Sequence, residues 1–103
     1  MKAVLCRASD LPPGEARRFE VERHRVAVVR IGDDFYAIGD RCSHADYSLA
    51  EGEVDTHERT IECWKHGSTF SLETGEPLTL PATLPVPVYA VTVEDDQLVL
   101  EVS

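Results

Sequence analysis

The chain has 103 residues, with 10 Lys and Arg against 19 Asp and Glu, a formal net charge of −9 at pH 7. That length supports one domain, residues 1–103, with a hydrophobic core of its own and no room for a second catalytic domain. An apolar content of 43% excludes a disordered acidic tail, and the negative charge disfavours nucleic acid and anionic lipid, which are bound through Lys and Arg surfaces.

The predicted elements are short apolar runs punctuated by turn residues, the pattern of an all-β domain. In chain order, strands are expected at Ala3–Cys6, Arg18–Glu22, Arg25–Ile31, Phe35–Ile38, Thr60–Glu62, Thr69–Leu72, Pro87–Glu94 and Gln97–Val102. Gly32-Asp33-Asp34 and Asp95-Asp96 read as hairpin turns between β-branched or aromatic flanks. Leu11-Pro12-Pro13-Gly14 is a fixed loop, and so is Pro81–Pro87, whose three prolines exclude helix and central strand. Ser48–Glu51 has the length of one helical turn. These elements assemble into a small antiparallel sandwich or barrel. No run is long enough to cross a bilayer, and the short apolar stretch after Met1-Lys2 breaks at Arg7, so neither a membrane anchor nor a secretory leader is expected. The expected location is cytoplasmic.

Charge is spread unevenly. Residues 1–30 hold 7 basic and 4 acidic residues, whereas residues 31–103 hold 3 basic and 15 acidic. Within residues 33–62, nine acids stand against Arg41 and Arg59, which reads as a solvated face, a docking surface for a basic partner, or both.

Two segments do not read as strands, Arg41–Glu51 and Cys63–Ser68, and each carries one cysteine and one histidine. Cys42-Ser43-His44 is separated by 18 residues from Cys63-Trp64-Lys65-His66. Two soft thiolates and two imidazoles on neighbouring loops suit zinc or an iron–sulfur cluster. The one-residue gap of Cys-x-His is awkward for a zinc knuckle, whereas a dinuclear centre lets the two ligands of one loop go to different metals. Cys6 reads as a buried small hydrophobe, His24 as a solvated residue at a strand edge and His57 as a hairpin tip; neither histidine has a cysteine nearby in sequence.

With these loops the sequence resembles the Rieske iron–sulfur family. The first loop reads Cys42-Ser43-His44-Ala45 with Leu49 and Gly52 following; the second reads Cys63-Trp64-Lys65-His66-Gly67 with Phe70 and Thr74-Gly75 following. Residues 81–87 and the run Val88–Val91 resemble the family's proline loop and the strand after it. The resemblance implies a Rieske-type antiparallel β-sandwich with a small cluster-binding subdomain, about residues 40–85, formed by two loops. It further implies one [2Fe–2S] cluster, with Cys42 and Cys63 on the buried iron and His44 and His66 on the outer iron near the surface.

Departures from the family pattern narrow the expectation. High-potential respiratory and photosynthetic members carry one more cysteine in each loop, joined as a disulfide; the matching positions here are Tyr47 and Lys65. Ser68 is kept, but the aromatic that follows is Phe70, without a hydroxyl to donate to sulfur, and fewer donors mean a lower potential. The resemblance is therefore to the soluble ferredoxins of the family. It implies a monomeric one-electron carrier, not an enzyme, between a flavin-dependent ferredoxin reductase and a terminal, aromatic-ring-hydroxylating oxygenase. Alternatives are the small subunit of a nitrite reductase, a donor to another pathway such as iron–sulfur assembly, and a zinc-stabilised binding module. Trp64 beside a ligand reads as packing on the site or as a contact for the partner.

Overall fold

The computed structural model describes residues 2–43, 46–65 and 67–102. Among the described residues nine strands carry the fold: β1 Lys2–Arg7, β2 Ala16–Val21, β3 His24–Ile31, β4 Asp34–Gly39, β5 Glu53–Asp55, β6 Thr60–Glu62, β7 Thr69–Ser71, β8 Val88–Glu94 and β9 Gln97–Glu101. All eight strands expected from the pattern are present, with ends that differ by at most two residues. Strand β5 is the addition. Its one apolar residue, Val54, lies between two acids, so it offers no alternation to read; pairing with β6 through Val54 and Ile61 defines it.

The strands form an antiparallel six-stranded sheet in the order β1-β9-β8-β4-β3-β2 and a three-stranded sheet in the order β5-β6-β7. The larger sheet is joined at β8, which pairs with β4 only at Val88 and Tyr89 and with β9 from Ala90 to Glu94. Switching partners along one strand lets β1, β8 and β9 cover one side of β3 and β4. Strand β3 is consequently buried on both faces, which is why Val26-Ala27-Val28-Val29 is a continuous apolar run instead of an alternation.

The alternation reappears in which core each residue enters. Val26 and Val28 join Ala37, Leu98, Leu100 and Leu11 in one core; Ala27, Val29 and Ile31 join Ile38, Leu49, Ile61, Phe70 and Leu72 in the other. Each fully buried Val, Leu or Ile side chain contributes about 1.5–3 kcal/mol. The second core also contains Cys42 and Cys63, so the two loops that carry them are built onto packed apolar side chains.

The turns follow their residues. Asp95 and Asp96 both have positive φ, 51° and 61°, as a two-residue hairpin with inverted turn geometry requires. The β3–β4 turn is Gly32-Asp33 alone, and Asp34 already pairs with Ile31 as the first residue of β4. The helical turn expected at Ser48–Glu51 is a single 3-10 turn over Leu49–Glu51. Cys6 is only partly buried beside the bulge in β1, and partial desolvation raises its thiol pKa above the usual 9.0. His57 lies in the β5–β6 turn, at the hairpin tip.

Candidate metal centre

The loop that follows β4 starts at Asp40 and is pinned before it reaches Cys42. Asp40 is 2% exposed, and its carboxylate accepts the Ser48 hydroxyl at 2.8 and 2.7 Å and the Ala50 amide at 2.9 Å. Its own amide donates to the Arg25 carbonyl at 2.9 Å, and its carbonyl accepts the Leu49 amide at 2.6 Å. Arg18 Nε stands 3.6 Å from the same carboxylate. A carboxylate this buried is tolerated because a hydroxyl, an amide and a guanidinium face it. In the sequence Asp40 is one of nine acids in residues 33–62; in the fold it is the base of the loop, and the one sequence signal for this is its place at the end of an apolar strand.

Both loops are closed in the same way. The Cys42 amide donates to the Tyr47 carbonyl at 2.9 Å, and the Cys63 amide donates to the Ser68 carbonyl at 2.7 Å, in each case five residues on. Cys42 is 2% exposed and Cys63 is 0% exposed. In the second loop Gly67 adds a bond from its amide to the Cys63 carbonyl at 3.0 Å, with a φ of +78° that favours glycine.

Backbone contacts fasten the loops together. A Cβ on Gly52, at the end of the first loop, would stand 1.8 Å from the Glu62 carbonyl oxygen, immediately before Cys63. Only glycine permits that approach. The proline segment closes the third side: Ser43 Oγ donates to the Leu84 carbonyl at 2.5 Å, and the Ala82 amide donates to Ser68 Oγ at 3.1 Å. Ser68 is fully buried, so this bond joins the second loop to the proline segment inside the protein.

Tyr47 and Lys65, which stand where a bracing disulfide is found in other proteins of this pattern, meet here by other means. Lys65 Nζ lies 5.9 Å from the Tyr47 ring centre and 5.9 Å from that of Trp64. Trp64 meets Tyr47 edge to face at 5.1 Å and remains 51% exposed. An exposed cation–π contact is worth about 0.5–1 kcal/mol, so the loops are linked non-covalently and weakly at their outer rim.

Of the four ligands expected from sequence, Cys42 and Cys63 enter the same core, while His44 and His66 lie outside the described residues. Among the described residues no three His, Cys, Asp or Glu side chains converge on a metal. His24 departs from expectation. It is half-buried at the start of β3, and its Nδ1 shares a 3.1 Å hydrogen bond with the Tyr89 hydroxyl, the rings meeting edge to face at 5.6 Å. Partial burial raises the Tyr89 pKa above its usual 10.0.

The acidic block is also divided by the fold. Asp40 is buried, Asp46 lies between Arg25 and Arg41, and Asp34 pairs with Arg59, which also bonds the Tyr36 hydroxyl. Glu51, Glu53, Asp55, Glu58 and Glu62 remain exposed on and around β5 and β6.

A small antiparallel sandwich that carries two buried cysteines on matched loops, backed by a proline segment, defines a class of protein built to hold a thiolate-ligated centre. Comparison with known proteins fixes the class: the Rieske [2Fe-2S] domain model matches residues 1–90, and the chain belongs to that family. Its cofactor is one [2Fe–2S] cluster. The 3-phenylpropionate/cinnamic acid dioxygenase ferredoxin subunit of Escherichia coli (strain K12) is 40% identical over 100 residues, covering 97% of this chain and 92% of that protein. The ferredoxin of carbazole 1,9a-dioxygenase from Nocardioides aromaticivorans IC177 superposes with a TM-score of 0.94 at 36% identity, over 97% of this chain and 96% of that one. A chain of the complex of reduced oxygenase and oxidized ferredoxin in carbazole 1,9a-dioxygenase superposes with a TM-score of 0.89 at 40% identity, covering 96% of this chain and 91% of that one.

Proposed function

We propose that the chain is a one-electron carrier that takes electrons from a flavin-dependent reductase and passes them to a terminal oxygenase hydroxylating aromatic rings. Cys42, His44, Cys63 and His66 would hold the cluster, which accepts and releases one electron when bound. The observation that carries this reading is the pair of buried cysteines on loops closed by the same backbone bond. Soft sulfur donors in a desolvated setting fit an iron–sulfur centre, and the family and its ferredoxin relatives supply the redox role.

The residues around the loops divide the remaining work. Asp40 and Ser68 hold the loops in place, and the Ala82–Ser68 bond ties the proline segment to the second loop. Trp64 on the second loop and Leu80 and Leu84 on the proline segment are exposed apolar side chains suited to brief contact with a partner. The acids of β5 and β6 favour a basic partner surface on that side. We read the carrier as a monomeric, cytoplasmic domain spanning residues 1–103, with its cluster part near 40–85. Among the described residues no helix is long and apolar enough to cross a membrane.

Visible absorption, metal content and low-temperature EPR of the purified protein, before and after dithionite, test the reading. Two irons per chain and a reduced-state EPR signal are expected; a colourless protein holding zinc overturns it. His44→Cys and His66→Cys should each change the spectrum, and an unchanged spectrum removes that residue from the ligand set.

A further inference from the structure

A groove of about 410 Å³ lies beside the first ligand loop, with Cys42 and Ser43 in its lining. Arg23, Arg25 and Arg41 line it, with His24 hydrogen-bonded to Tyr89 and the proline segment at Pro85–Pro87 as firm walls. One carboxylate, Asp46, serves two of the three guanidiniums, at 3.4 Å from Arg25 and 3.6 Å from Arg41. Arg23 has no ion pair among the described residues, and Glu22 beside it in the turn does not line the groove. Glu20, across from Arg25 in β2, is held by Arg18 at 2.7 Å, so among the described residues three guanidiniums against Asp46 leave two positive charges here, in a chain whose total is −9. The acids of β5 and β6 lie elsewhere, and Glu53, Asp55 and Glu62 line a different pocket. The cluster region therefore has a basic flank on its first loop and an acidic flank beyond its second.

We propose that the basic groove docks a carboxylate-bearing surface of the electron donor. The proposal rests on the carrier reading above and adds which partner uses which flank. Charge selects the donor. An oxidised [2Fe–2S] core (+2) and two thiolates (−2) cancel, so the loaded chain stays at −9; one electron leaves the reduced flavin of the donor, enters the cluster and takes the charge to −10 next to the groove. The added negative charge weakens the groove's hold on carboxylates and strengthens the acidic flank's hold on a basic surface. A donor must bind the oxidised carrier and release the reduced one; an acceptor needs the reverse. The groove has the sign the donor requires, and by linkage a donor held there lowers the carrier's potential in the complex. Oxidised carrier bound about fivefold tighter than reduced corresponds to a fall of about 41 mV, at about 59 mV per tenfold for one electron.

The test uses cluster-loaded ferredoxin with its flavin reductase and, separately, with its oxygenase. Arg23→Glu and Arg25→Gln are compared with the parent protein. At low ionic strength each variant should be reduced by the reductase about 5- to 10-fold more slowly, with an unchanged visible spectrum, while delivery from dithionite-reduced variant to the oxygenase stays within twofold. Binding of parent ferredoxin to the reductase should be several-fold tighter oxidised than reduced. An unchanged donor step, equal loss in both steps, or equal affinity of the two redox forms overturns the proposal. If parent ferredoxin reduced by dithionite does not serve the oxygenase, the carrier reading fails instead; if it serves the oxygenase and the variants accept electrons normally, only the groove assignment fails.

Discussion

Replacing Asp40 isolates how much of the site depends on one buried carboxylate. Asp40→Ala takes the acceptors from the Ser48 hydroxyl and the Ala50 amide, both of which bond to Asp40 at 2.7–2.9 Å. Both donors are part-buried, so each is placed at about 1.5 kcal/mol, within the range of about 1–3 kcal/mol for an unsatisfied donor, and a loss near 3 kcal/mol is expected. In a domain of 103 residues, 1 kcal/mol moves the melting midpoint by roughly 4–8 °C, so the midpoint should fall by about 12–24 °C. Asp40→Asn should cost only about 1 kcal/mol, because the amide oxygen still accepts from Ala50 and the amide N–H can donate to Ser48 Oγ. Urea and thermal unfolding by circular dichroism, together with iron per chain, measure both. Iron retention should follow the same order, since the carboxylate sits at the root of the Cys42 loop. Equal losses for the two variants would show that the charge, not the hydrogen bonds, is what matters. A change below about 0.5 kcal/mol for Asp40→Ala would refute the role of the carboxylate in holding the loop.

Other substitutions probe the remaining links. Ser68→Ala leaves the Ala82 amide without its buried acceptor and should cost about 1–3 kcal/mol in urea unfolding, with the proline segment more open to proteolysis. Gly52→Ala puts a methyl group against the Glu62 carbonyl, so soluble yield and iron content should both collapse; a normal holoprotein would disprove the close approach. Tyr89 has a raised pKa, so its contribution to stability is complete below pH 10 and is lost as pH climbs through the shifted value. Urea midpoints above pH 10 should therefore fall more steeply for the parent than for Tyr89→Phe. Electron delivery to a partner should slow with ionic strength, and an indifferent rate would leave the exposed acids of β5 and β6 with solubility alone.

Strand positions were legible because the strands are short, apolar and bounded by glycine, proline and aspartate, each of which marks a turn for a local reason. Strand β5 was not, since its pairing with β6 is a tertiary fact and its own residues are acidic. Cys42 and Cys63 were legible as a pair because chemistry ties residue type to spacing. Asp40 was hidden, since a carboxylate gives the same letter whether solvated or buried. The same limit applied to charge. Arg23 and Arg25 counted toward a basic N-terminal third, while Asp34, Asp40 and Asp46 counted toward an acidic block. Folding sets Arg25 and Arg41 around Asp46 and turns one acidic block into two flanks of opposite sign.

The matched closure of the two loops is made entirely of main-chain atoms, from the Cys42 and Cys63 amides to the carbonyls of Tyr47 and Ser68. A frame of that kind is indifferent to side-chain identity. Ser43, Asp46, Trp64 and Lys65 can be exchanged without undoing the bonds that set the shape of each loop, provided Gly67 and the proposed ligands His44 and His66 are kept. The loops thus behave as interchangeable cassettes on a fixed chassis. Partner preference and redox tuning can drift through Tyr47, Trp64 and Lys65 while the mounting for the sulfurs stays where β4 and β6 deliver it.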